Sequence, residues 1–84
     1  MAYRYLQRQS KENEDVKTYL DEGMIFEAFI TLIREAPTTD DIDEIEYQAE
    51  KEFEVKSRQL LTEEELESIQ VEATDYRKKL MMEE

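Results

Sequence analysis

One glycine and one proline, Gly23 and Pro37, punctuate the chain, and between them lies its most apolar stretch, MIFEAFITLIREA. Nothing else among the 84 residues carries the backbone freedom or the missing N–H that interrupts a helix, so long helical segments are expected. At 100° per residue, Met24, Ile25, Ala28, Phe29, Leu32, Ile33 and Ala36 cover a broad arc, while Glu27, Thr31, Arg34 and Glu35 occupy a narrow polar one. The spacing predicts a helix over 24–36 at the centre of the fold. The branched and aromatic residues of FITLI would also suit a strand, but no second strand is available to pair with it. Pro37 ends the helix and biases Ala36 toward extended backbone.

On the N-terminal side, Val16, Tyr19 and Leu20 share a face, Ser10 or Asn13 is placed to cap a short helix, and Gly23 offers the left-handed residue that closes it. Residues 1–11 fit a short helix, a flexible basic arm or a frayed tail. On the C-terminal side, Thr38 or Thr39 restarts a helix whose first turns carry Asp40, Asp41, Asp43 and Glu44, where the positive helix end favours carboxylates. Ile42, Ile45, Ala49, Phe53 and Leu60, with the stem of Lys56, form its apolar stripe and predict a helix over 39–60. Thr62 and Glu65 then make a capping box, with Leu61 and Leu66 as its hydrophobic staple. Leu66, Ile69, Ala73, Tyr76 and Leu80 continue at spacings of three and four along a last helix over 63–82.

The expected fold is all-α: a single small domain over 1–84, built as a bundle of three principal helices with a shorter N-terminal one, the last two helices forming an antiparallel hairpin across a turn near Leu60–Thr62. Ile25, Ala28, Phe29, Leu32 and Ile33 are expected to pack against Ile45, Ala49, Phe53, Ile69, Ala73 and Tyr76. High charge and modest hydrophobicity would also suit a disordered chain, but the apolar residues recur at helical spacings that disorder does not require.

Composition excludes several functions. Without cysteine or histidine the chain has no thiolate or imidazole to ligate zinc and no group that titrates near neutrality. No Gly-rich phosphate cradle and no activated serine or threonine is present. The run Asp40-Asp41-Ile42-Asp43-Glu44 lacks the spacing and central glycine of a calcium loop. The expectation is therefore a non-enzyme that needs no cofactor and binds no metal. No stretch has the length of apolar residues that a membrane span needs, so no membrane association and a cytoplasmic location are expected.

The net charge is −12, and since Arg4, Arg8 and Lys11 put +3 on residues 1–11, the rest of the chain carries −15. Such a body repels nucleic acid and attracts basic protein surfaces. The acids concentrate in DDIDEIEYQAEKEFE, residues 40–54. Helix-end stabilisation accounts for the first of them. It does not account for Glu46, Glu50 and Glu54, like charges at successive i,i+4 spacings with only Lys51 nearby. Tyr47 and Val55 fall away from the apolar stripe of their helix, and Val71 lies nearly opposite Leu66 and Tyr76 on the next. Glu46, Tyr47, Glu50, Glu54, Val55 and Val71 are accordingly the expected partner-binding residues, with the partner another protein, basic in part, or a second copy of the chain. The expected function is a small acidic interaction module, an adaptor or regulatory subunit. The alternative is an inhibitor whose acidic face occupies a basic, nucleic-acid-binding surface.

Overall fold

In a computed structural model, which describes residues 2–55 and 61–83, the chain forms five helices: α1 (Ala2–Ser10), α2 (Glu14–Asp21), α3 (Ile25–Glu35), α4 (Thr39–Glu54) and α5 (Glu63–Glu83). All regular structure among the described residues is helical, and the helices pack as a compact bundle.

The boundaries follow from local chemistry. Asn13, and not Ser10, caps α2: its side chain accepts from the backbone N–H groups of Asp15 and Val16, while the Ser10 hydroxyl turns back to the Gln7 carbonyl. At the other end Gly23 takes φ +75°, with Gly23 N–H bonded to Leu20 O at 3.1 Å and Met24 N–H to Tyr19 O at 2.7 Å. This pair of bonds is a Schellman motif, which satisfies the last carbonyls of the helix and needs a residue at ease in the left-handed region. Pro37 acts as expected: Ala36 is extended (φ −65°, ψ 127°) and α3 stops at Glu35. Thr38, and not Thr39, caps α4 by accepting from Asp41 N–H. The Thr62–Glu65 capping box forms reciprocally, with Thr62 N–H donating to Glu65 Oε1 at 2.9 Å and Glu65 N–H to Thr62 Oγ1 at 3.1 Å.

α3 supplies the middle of the core, burying Ile25, Ala28, Phe29, Ile30, Leu32 and Ile33. Ile42, Ile45 and Ala49 of α4 and Ile69 and Ala73 of α5 close over it, with Leu61 buried just before α5. α4 and α5 make the most extensive interhelical contact, followed by α2 with α3 and α1 with α2.

Three expectations change. The bundle has five helices where three principal and one shorter were expected, because residues 2–10 fold as α1 and drive Tyr5 and Leu6 into the core. The apolar residues of the segment, Tyr3, Tyr5 and Leu6 among them, are crowded at its start and do not recur along it, so they carry too little periodicity to announce this. Secondly, α4 ends at Glu54, with Val55 as its C-cap (φ −81°, ψ 85°) bonded back to Glu52 O. No glycine or proline marks that stop, so the periodicity runs through it; the expected continuation through Lys56 to Leu60, and part of the expected turn at 60–62, lie outside the described residues. Thirdly, the buried register of α4 is Ile42, Ile45, Ala49 and Glu52, whereas Phe53 is only half-buried against the core. Glu52 has no exposed surface and is not without a partner. Tyr76 likewise covers the core from its edge and does not enter it.

Candidate interaction surface

The six residues expected to bind a partner do not share one environment. Glu46 stands on the side of α4 that faces α5, where Arg77 reaches it: guanidinium Nη2 lies 2.7 Å from Glu46 Oε2, and both side chains are about three-quarters covered. The same guanidinium holds Asp43 Oδ1 through Nε at 3.0 Å and Nη2 at 2.6 Å. The hydrogen bond to Glu46, with that to Asp43 and the charge of both carboxylates, raises the Arg77 pKa further above its already high value, against the opposing effect of burial. Glu46 is thus paired within the chain, in the seam between α4 and α5, with a quarter of its side chain left in solvent. Arg77 belongs to this cross-helix cluster. Since 77 directly follows Tyr76 of the apolar seam, it occupies the flanking position where interhelical ion pairs form, and that was the available signal.

Glu50 is exposed, and its Oε1 accepts from Gln70 Nε2 at 3.4 Å, the next link along the α4–α5 seam. Glu54 is exposed and 3.8 Å from Lys51 Nζ. Tyr47 is half exposed, with Lys51 Nζ 5.3 Å from the ring centroid, within cation–π range. Val71 keeps 61% of its surface in solvent and sits in a shallow trough with Glu67, Gln70, Thr74 and Asp75. Val55, half-buried at the end of α4, belongs to neither group. Gln70 thus joins Glu50 to the Val71 trough, while Tyr47, Lys51 and Glu54 line the adjoining strip of α4.

Elsewhere on α5, Glu72 meets Arg34 of α3 at 3.3 Å, and Lys79 Nζ lies 4.5 Å from the Tyr76 ring centroid. Met81 and Met82 at the end of α5, and Met24 between α2 and α3, are further large apolar side chains left exposed. Among the described residues no group of three or more acidic side chains is placed to hold a metal ion, and no helix is long and apolar enough to cross a membrane. Compared with known protein families, with curated proteins and with solved structures, the chain has no match.

Proposed function

We propose that this protein is a small acidic helical interaction module, an adaptor or regulatory subunit that docks on another protein or on a second copy of itself. In this reading it acts in the cytoplasm and carries out no catalysis, and it uses no cofactor and touches no nucleic acid. The observation that carries the proposal is the set of large apolar side chains left in solvent beside acids, with Tyr47 51% and Val71 61% exposed. A folded surface normally tolerates such residues singly, but aromatic and branched residues ringed by charge are also the anatomy of a docking patch. The α4–α5 pair serves as an antiparallel hairpin that presents the patch. Its support is the order of its contacts, since Asp43 meets Arg77 and Glu50 meets Gln70, descending along α5 as they ascend along α4.

The partner surface best suited to this patch is apolar at its centre and basic at its rim, because Glu67 and Asp75 line the trough that holds Val71, and Glu50 and Glu54 follow Tyr47 at three and seven residues along α4. Imitation of phosphate is the weaker reading, since one of the three regularly spaced carboxylates, Glu46, already has its guanidinium within the chain. Affinity capture with the parent, a Tyr47→Ala/Val71→Ala variant and a Glu50→Gln/Glu54→Gln variant tests the proposal. Loss of a captured protein from the apolar variant, with melting unchanged, supports it. A partner kept by the apolar variant but lost from the carboxylate variant with steep salt dependence would replace it with the mimic.

A further inference from the structure

Positions 4, 8 and 11 fall on one face of α1 and its continuation, and they place Arg4, Arg8 and Lys11 in a line. All three are exposed, and with Gln7 and Ser10 they line an open groove along the helix. None of the three side chains makes an ion pair with a described residue, whereas Arg34, Lys51 and Arg77 each pair with a carboxylate. In a chain with 23 acids and 11 bases, three neighbouring cations left without an acid require a cause.

A surface of opposite sign lies on α5. Glu67 and Asp75 flank Val71 at four residues on either side, in the trough that also holds Gln70 and Thr74. Neither carboxylate makes a hydrogen bond or ion pair with a described residue. Two such troughs cannot face each other across a two-fold axis through Val71, because Glu67 of one copy would lie against Asp75 of the other. A second copy must therefore offer a different surface, and the α1 groove has the matching sign and spacing. At 1.5 Å rise per residue, Arg4 and Lys11 stand about 10.5 Å apart, and Glu67 and Asp75 about 12 Å. Arg8, between its two neighbours, then meets Val71, where its aliphatic stem covers apolar surface and its head stays polar.

We propose that the Arg4–Arg8–Lys11 groove of one copy docks on the Val71 trough of another. This rests on the reading of that trough as a docking surface, and it names the occupant. The contact joins two unlike surfaces, so it repeats from copy to copy as a ring or an open chain. Duplex DNA suits the groove less well. It carries about one charge per 1.7 Å, far denser than −12 on a body 40 Å long, and residues 12–84, at −15, repel it. Repulsion between two copies acts between whole bodies, whereas groove and trough meet in contact, so added salt weakens the repulsion before it weakens the pairs.

The test is sedimentation of the full chain from micromolar to millimolar concentration at 0.15 M salt, where charges more than about 8 Å apart are screened. The parent is compared with a groove variant, Arg4→Glu/Arg8→Glu/Lys11→Glu, and a trough variant, Glu67→Lys/Asp75→Lys. The parent should form dimers and larger species as concentration rises. Each variant alone sets like charge against like and should associate on the order of a hundredfold more weakly. Arg8→Gln, which removes a single exposed charge, should weaken association by about tenfold. An equimolar mixture of the groove and trough variants should regain association, because each meets the opposite sign on the other, and its recovery also shows both to be folded. A parent that stays monomeric, a reversed variant that associates alone as the parent does, a mixture that stays monomeric although both variants melt like the parent, or indifference to Arg8→Gln would overturn the proposal. If the parent stays monomeric while a protein is still captured through Tyr47 and Val71, the docking patch stands and only the second copy as its occupant falls.

Discussion

Phe29 has no exposed surface, and it lies at the centre of the helix that supplies most of the core. Truncation to alanine removes a ring that the surrounding helices can only partly close over, so Phe29→Ala should lose about 3–5 kcal/mol. A chain of this length has total stability on the order of 4–13 kcal/mol. A urea titration should therefore show the midpoint fall sharply or the folded baseline vanish. Tyr5 makes the opposite kind of prediction, one that appears only at high pH. Its folded pKa, raised by burial and by Glu44 and Asp41, is about 12 against an ordinary 10.0. The folded state holds this proton more tightly than the unfolded state, so the associated stability is complete below pH 10 and is lost as pH rises toward 12. Thermal melts across that range should decline for the parent and decline less for Tyr5→Phe, and ultraviolet absorbance should show that variant lacking the latest-ionising tyrosine.

Helix ends and helix pairs are where this chain spends its polar residues. The capping box at Thr62 and Glu65 satisfies backbone donors of a helix 21 residues long. Thr62→Ala should cost about 1 kcal/mol, and amide exchange should accelerate first at Glu65 and Leu66 while the middle of α5 stays protected. Arg77 ties α5 to α4 through two carboxylates, but Asp43 is 61% exposed and solvent screens much of the interaction. Arg77→Gln should therefore cost about 1 kcal/mol at low salt and less at high salt, measured as the difference in denaturant midpoint between the two. These elements also show where local reading succeeds. Asn13, Gly23, Pro37, Thr38 and Thr62 act within three or four residues of themselves, so their effects can be read from sequence spacing. The end of α4 at Glu54 has no such marker, and α1 is held by burial of Tyr5 and Leu6 against residues far along the chain.

At the scale of the whole molecule, the radius of gyration is 12.2 Å and the principal extents are 40 × 26 × 17 Å. The size matches a compact chain of this length, about 12 Å, but the shape is a slab whose thin dimension leaves room for about two layers of helices at 8–10 Å spacing. Each helix then turns one side to the core and keeps the other in solvent, so Tyr47, Val71, Met81 and Met82 stay uncovered within one copy. If the protein associates with itself through them, the net charge of −12 opposes the encounter. Sedimentation at micromolar concentration should show a dimer fraction that grows as salt rises from 0.05 to 0.5 M; a monomer at both would assign the surface to a different protein.

Helical class, the centre of the core on α3, and the helix boundaries at Gly23, Pro37 and Thr62 were determined by the sequence alone, and those at Asn13 and Thr38 to within a choice of two caps, since periodicity and capping are properties of residues within one or two turns. The acidity of residues 40–54 was equally plain. Which of those acids remain available was decided only by the fold: Arg77, 31 positions beyond Glu46, takes that carboxylate and Asp43, while Glu50 and Glu54 remain exposed. Tertiary structure likewise put Glu52 in the interior where the spacing Ile42, Ile45, Ala49 would have allowed it but its charge argued against it. Charge and periodicity say what a residue prefers, and only the arrangement of distant helices decides which of the competing preferences is met.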